Sequence, residues 1–341
     1  MKRDNDIRTF TMATPDLSAV SSGYRALVEA AGVVDLSGRT QLELTGDDRA
    51  TFLHNFCTNY VRNLTEGSGA EAFILDAKGH VLGHAFLFVA PHSIVIDTVP
   101  GQSEKLSRHL DRYIIQEKVE IHDRTEEWGE LLVAGPRSAA LMESLALDVP
   151  QDRLGHSQST LVGHSVYLRR TDLVGPDSWL LACARDDVES LRVALANAGA
   201  VPADMAAFEM ARLEAGTPLY GRDITEKNLP QEVNRDANAI SFTKGCYLGQ
   251  ETVARIDALG HVNRVLVGLR FSGDQIPAIG TELQVVEPAQ SGAAVGAITS
   301  AAYSPRLHSA LALGYLRRGH TQVGTKLNSP AGQAEVVALP L

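Results

Sequence analysis

Lys244-Gly245-Cys246-Tyr247-Leu248-Gly249-Gln250-Glu251 sets a thiol between glycines, with a cation two residues before it and a carboxylate five after. Glycine frees the backbone to turn tightly or to approach a ligand closely. The run Gln250–Ile256 that follows is compatible with a short helix. Cys246 is therefore expected near a helix N-terminus and near Lys244, two features that favour the thiolate. Taken alone, a Gly-Cys pair reads as a turn with a small buried thiol. The rest of the chain has to decide between the two.

Upstream, helix, strand and hairpin signals interleave. Residues 1–16 are polar and aperiodic, as in a frayed leader. Val20, Tyr24, Leu27 and Val28 recur at helical spacing before Gly32. Val33–Leu36 and Gln41–Leu44 read as strands, and a helix capped by Asp47 carries Phe52, Leu53 and Phe56. Phe73–Leu75 and Val81–Val89 flank the turn Asp76-Ala77-Lys78-Gly79 and predict a hairpin. Ile94–Val99 follows as a strand, and Leu106, Leu110, Tyr113 and Ile114 line an amphipathic helix. Strands at Val119–His122, Leu131–Ala134, Val162–Arg169 and Trp179–Ala184 alternate with helices at Arg137–Leu145, Asp187–Ala198 and Asp204–Ala215. The regular rhythm of a doubly wound sheet is missing, so the class is α+β. After Glu251 the texture changes. Val265–Phe271, Leu283–Val286, Val295–Ser300, Ala310–Leu316 and Ala334–Ala338 are short strand candidates separated by Gly, Pro and Ser. They predict a small β-barrel, with a boundary near residues 257–263.

A chain of 341 residues is too long for one ordinary core, and two or three domains are expected. The 44% hydrophobic content fits a soluble globular protein. No apolar run is long enough to span a membrane. Lys2 and Arg3 are followed by polar residues where a signal peptide has its apolar core, which points to the cytoplasm. Cys57, Cys183 and Cys246 are too widely spaced for a disulfide framework or a paired metal motif. A net charge of −10 argues against wrapping a nucleic-acid backbone, leaving only a local basic patch at Arg306, Arg317 and Arg318. His54 and Cys57 form a His-x-x-Cys pair without the second pair a structural metal site needs. Asp76 and Lys78 are explained by turn chemistry, and no glycine-rich nucleotide loop is present. Arg212–Gly221 ends a helix and enters a Gly/Pro-rich loop able to present Glu214, Tyr220 and Arg222 to a cavity. Asn228–Glu232 adds a second carboxylate, Glu232, suited to pairing with a pterin-like or guanidine-like edge.

Lys244–Glu251, preceded by Ile240–Thr243, closely resembles the signature of the YgfZ family of folate-binding proteins, relatives of the aminomethyltransferase (T-protein) of glycine cleavage. Gly32–Ser37 and Gly46–Asn59 are similar to the N-terminal part of that group. Leu110–Asp123 and Gly135-Pro136 resemble its middle, Arg212–Gly221 and Pro230–Glu232 its folate-site region, and Ile298–Pro305 with Leu311–Leu316 its C-terminal barrel. The resemblance implies a T-protein-like three-domain arrangement around a central folate cavity. The expected domains are residues 1–50 with 135–256, residues 51–134, and the barrel 257–341. It also implies tetrahydrofolate or a derivative as ligand, no stably bound metal, and iron–sulfur proteins or their assembly machinery as partners. Support of tRNA modification would be indirect, without direct nucleic-acid contact.

T-proteins carry adjacent aspartates after the hairpin, one of them catalytic, where this chain has Gly83 and His84. They also lack the Lys-Gly-Cys-Tyr run, so the resemblance disfavours glycine cleavage. The implied roles are a redox-sensitive or ligand-donating Cys246 near the cavity mouth and a Lys244 that stabilises its thiolate. Gly245, Tyr247, Gly249, Gln250 and Glu251 support that motif, and Glu232, Glu214, Arg212, Tyr220 and Arg222 are expected at the folate. One thiol cannot hold a cluster alone, so any cluster role is transient or shared. A folate-dependent aminomethyl- or methyltransferase, and a scaffold binding an iron–sulfur protein through its barrel, are the rival readings.

Overall fold

The computed structural model describes residues 21–273, 275–286 and 293–341. The expected leader and the start of the first predicted helix lie outside them. The chain begins with α1 (Ser22–Glu29), capped by the Ser21 hydroxyl accepting from the Tyr24 N–H, and β1 (Gly32–Asp35). It then builds β2 (Thr40–Thr45), α2 (Arg49–Phe56), β3 (Gly69–Leu75), β4 (Val81–Val89), β5 (Ser93–Thr98), α3 (Ser103–Asp111) and β6 (Glu120–Asp123). It returns through β7 (Trp128–Ala134), α4 (Ser138–Ser144), β8 (His156–Leu161), β9 (His164–Thr171), β10 (Ser178–Ala184), α5 (Val188–Asn197) and β11 (Val201–Pro202). Helices α6 (Met205–Glu214), α7 (Asp236–Ala239) and α8 (Gln250–Leu259) lead to the last unit. That unit comprises β12 (Arg264–Phe271), β13 (Glu282–Val285), β14 (Ala294–Ser304), β15 (Ser309–Arg317), β16 (Lys326–Ser329) and β17 (Gly332–Val337).

Among the described residues the strands form a six-stranded sheet ordered β11-β1-β7-β10-β9-β8, a five-stranded sheet ordered β3-β4-β5-β2-β6, and a closed barrel β12-β15-β14-β13-β16-β17. The α+β class and the C-terminal barrel follow the sequence reading. The domain limits shift. β2 pairs with β5 and β6, so residues 40–45 belong to the five-stranded sheet and not to the first domain, as a limit at 50 required. β7 pairs with β1 and β10, so residues 128–134 belong to the first domain and not to the second. Sheet membership is decided by pairing across long separations, which local periodicity does not report.

Strand β4 shows how the layers are set. Successive side chains point to opposite faces. Ala85, Leu87 and Val89 join a core with α2 and α3. Phe86 and Phe88 join a second core with Tyr24, Leu27, Leu132 and Phe208, which glues the two sheets together. His84 shares the Phe86–Phe88 face. Gly83 lies on the other face, where an added Cβ would meet Leu106 of α3 at 2.9 Å. Position 84, and not 83, therefore looks toward the interior between the sheets.

Candidate functional site

The stretch 240–252 is fastened to its surroundings on both sides of the thiol. The Ser241 N–H donates to Thr58 O, the Thr58 hydroxyl to Ala239 O, and the Leu248 N–H to Asn55 O. Lys244 is buried, and its Nζ donates to the carbonyls of His54, Cys57 and Asn59 at 2.5, 2.6 and 2.9 Å. These oxygens sit at and just beyond the C-terminus of α2, where carbonyls lack intrahelical partners and a cation is favoured. Burial, helped by the Arg62 charge, pulls the Lys244 ammonium below the ordinary lysine range. Tyr247 is buried among Phe73, Leu75, Val81 and Val253, with Lys244 Nζ 4.7 Å from its ring centre. Its N–H donates to the Gln250 side chain at 3.3 Å, and Glu251 is exposed in the first turn of α8.

Glycine has two different meanings in this loop. Gly249 has φ 79°, and a Cβ there would stand 2.5 Å from Asp76 O, while one at Gly79 would stand 2.7 Å from the Thr252 Cβ. These two let the loop lie against the β3–β4 turn, where the Thr252 hydroxyl also donates to Lys78 O. Gly245 has no left-handed φ, and a Cβ there would meet nothing within 4 Å. Gly245 and Cys246 are exposed between two buried anchors. The expectation of a small buried thiol fits Cys57 and Cys183 instead. Burial raises both of those thiols, Cys183 to about 12. The expected role of Lys244 is corrected: its donors are taken up by α2 carbonyls, so it positions the loop. Cys57 and His54 form no metal pair. The Cys57 Sγ–H donates to Asn59 O, and His54 Nδ1 accepts from the Val61 N–H, with burial and then the Lys244 charge lowering that imidazole to about 4. Among the described residues no group suited to hold a metal ion occurs.

A cavity of about 810 Å³ opens between the β8–β9 side of the six-stranded sheet, the segment after α6, α7, and barrel strands β12 and β17. Arg153, Thr171, Asp172, Arg235 and Asn238 line it. Behind this wall Glu71, fully buried on β3, accepts from His84 Nε2 at 2.6 Å and from Arg235 Nη2 at 2.7 Å, and also bonds Arg153. Asp172 completes the set, accepting from Arg235 and Arg153 at 3.1 Å each. Burial pushes the Glu71 carboxyl up, but the His84 and Arg235 hydrogen bonds and the Arg235 charge outweigh it and hold it far below the usual carboxylate range. The result is an ionised buried carboxylate that fixes two guanidinium groups at the cavity wall. Thr171 is buried there, and its hydroxyl has no partner among the described residues. The volume and the mixture of apolar wall and a few convergent polar groups are those of a small-molecule site.

The residues expected to hold the ligand lie elsewhere, each with its own partners. Arg212 is fully buried and donates to Glu209, Asp223, Thr217 O and the Ser300 hydroxyl of β14. Glu214 accepts from the Tyr24 and Ser304 hydroxyls at 2.7 and 2.6 Å. Tyr220 pairs with Lys105, Arg222 with Glu209, and Glu232 with Arg264 and Asn228. None of these five lines the 810 Å³ cavity, and neither does any residue of 244–251, so the expectation of Cys246 at its mouth is also corrected. The sequence reading missed Glu71, Arg153, Asp172 and Arg235. Glu71 carried a signal, as the lone carboxylate in the otherwise apolar strand Gly69–Leu75. The other three sit in irregular segments that no periodicity marks.

A family model described as the GCVT N-terminal domain matches residues 8–244, and one described as the glycine cleavage T-protein C-terminal barrel domain matches residues 264–341. The chain is 28% identical over 295 residues to the "Putative transferase At1g60990, chloroplastic" of Arabidopsis thaliana, covering 86% of this chain and 66% of that relative, just under two thirds of its length. It is 26% identical over 329 residues to an aminomethyltransferase of Chloroherpeton thalassium, covering 93% and 89% of the two chains. The crystal structure of glycine cleavage system aminomethyltransferase T from Bartonella henselae matches with a TM-score of 0.82 at 19% identity, covering 93% of this chain and 88% of that one, a likeness of fold. With both domain models matched in order over most of its length, the chain belongs to the GCVT (glycine cleavage T-protein) family.

Proposed function

We propose that this chain is a tetrahydrofolate-binding accessory protein of the YgfZ type, supporting iron–sulfur cluster assembly or repair and, indirectly, tRNA modification. The observation that carries this reading is the loop that holds Gly245 and Cys246 exposed between the buried anchors Lys244 and Tyr247. A thiol presented in this way meets a macromolecular partner; the cavity lining lies elsewhere. Cys246 contributes one transient ligand, and the partner supplies the rest. Three free cysteines fit a reducing compartment such as the cytoplasm.

The 810 Å³ cavity is the folate site in this reading. A reduced folate brings a donor-rich pterin edge, an aromatic spacer and an anionic tail. Asp172 suits the donor edge, Arg153 and Arg235 the carboxylates, and Thr171 supplies an unmatched hydroxyl. Complementation of a deletion strain, with iron–sulfur enzyme activities as readout, tests the thiol. Wild type is expected to restore them and Cys246→Ser to fail; full rescue by Cys246→Ser would remove the thiol from the mechanism.

A second reading, a folate-dependent one-carbon transferase, is favoured by relatives named aminomethyltransferase. In it His84, held by Glu71, stands where T-proteins are expected to carry a catalytic aspartate. Methylene-folate formed from tetrahydrofolate and candidate amine donors, and lost in His84→Ala, would favour it over the accessory role.

A further inference from the structure

A second recess, of about 390 Å³, lies between α7, α8 and the start of the barrel. Its walls include Gln231, Asp236, Phe242, Asp257, His261 and Arg318. Two acceptors there are unmatched among the described residues. Gln231 is only 8% exposed, and its Nε2 donates to Val253 O at 2.8 Å. The Val253 carbonyl demands the nitrogen on its side, which leaves Gln231 Oε1 as the atom without a partner. Asp236 Oδ1 likewise has none, and both atoms are closed off from bulk water. Leaving a buried acceptor unsatisfied is unfavourable. Burial, together with the nearby Asp257 charge, pushes the Asp236 carboxyl up to about 6. What the recess lacks is therefore a donor, and a cationic one. Asp257 on α8 is exposed and adds a second negative charge, and Phe242 offers a half-exposed aromatic face.

We propose that this recess binds the guanidinium group of an arginine side chain carried by a partner protein. A guanidinium combines several donors in one plane with a flat face that stacks on an aromatic ring, which suits unmatched acceptors beside Phe242 better than a compact ammonium. Phe242 stands two residues before the Lys244 anchor, so an arginine docked here places its protein beside the Cys246 loop. His261 and Arg318 stand at the rim. Arg318 forms no ion pair among the described residues, and it opposes the incoming charge. The inference deepens the partner-facing reading above by giving the partner a chemical feature, and its test involves neither the thiol nor the cavity ligand.

The test is a titration of the full chain with N-acetyl-arginine amide, followed by amide NMR, with the neutral isostere N-acetyl-citrulline amide as control. Saturable shifts are expected at the Gln231 side-chain amide, at residues 236–242 and at 257–262, with arginine only. Asp257→Asn alters an exposed residue and leaves the fold intact; it and Asp236→Asn are expected to weaken binding roughly fivefold or more. Arg318→Ala is expected to leave binding unchanged or tighter. An equal response to citrulline, no saturation, unaltered affinity in Asp236→Asn, or loss of binding in Arg318→Ala would each overturn the assignment.

Discussion

Lys244 and Glu71 are both buried charges whose sites make opposite use of them. Lys244 satisfies helix-end carbonyls, so Lys244→Met, which keeps the stem and removes the donors, leaves three oxygens short of a partner. A loss of about 2 kcal/mol in denaturant unfolding is expected, with faster amide exchange across residues 54–59 and 241–248. Glu71 is ionised by its partners. Its folded-state pKa lies below the unfolded value, so its stabilisation is complete above about pH 4.3 and is lost as pH falls below that. Glu71→Gln is expected to lower stability at pH 7 while narrowing the gap to wild type at pH 3, read from melting temperatures at both. These charges also mark where sequence reading stops. Glu214 and Glu232 stand out as site candidates by residue type and Arg212 through the resemblance, yet Ser300, Tyr24, Ser304 and Arg264, which partner them, come from distant parts of the chain. Spacing cannot distinguish a carboxylate that waits for a ligand from one that already has a hydroxyl.

At the scale of elements, the loop after α7 rests on two glycines and exposes a third. Gly79→Ala and Gly249→Ala each force a Cβ against backbone or Thr252, both in a left-handed conformation, and are expected to cost about 1–3 kcal/mol in thermal unfolding. Gly245→Ala meets open space and is expected to change stability by less than about 0.5 kcal/mol while impairing complementation. The turn at residues 76–79 made β4 legible, a continuous apolar run made β10 so, and helical spacing did the same for α3. Three strands were missed: β8 (His156–Leu161) and β16 (Lys326–Ser329), whose residues are mostly polar and only partly buried, and the two-residue β11, which reads as a break after α5. The first two are strands through the neighbours they pair with, β9 for β8 and β13 and β17 for β16. The missed β8 mattered, since the segment before it carries Arg153 to the cavity.

At the scale of the molecule, ionic networks reinforce the apolar cores that join the units. Arg212 ties α6 to the barrel through Ser300, with Asp223 shared between them. Removing one member of such a buried set strands the others, so Arg212→Met is expected to destabilise by about 3–5 kcal/mol. The barrel would loosen first, seen as early loss of amide protection in β14 and β15. The three-unit plan with its terminal barrel was readable from changes of texture and from the resemblance. The limits between the first two units were not, because β2 and β7 each join a sheet assembled mostly from the other side of the limit. The same long-range assembly brings Glu71 of the second unit behind Arg153, Asp172 and Arg235 of the first. Isothermal titration of tetrahydrofolate into the wild-type chain, Asp172→Asn and Cys246→Ser tests the cavity most directly. One-to-one binding is expected in wild type and Cys246→Ser, weakened about tenfold or more in Asp172→Asn; absence of binding to wild type, or full affinity in Asp172→Asn, would contradict the account.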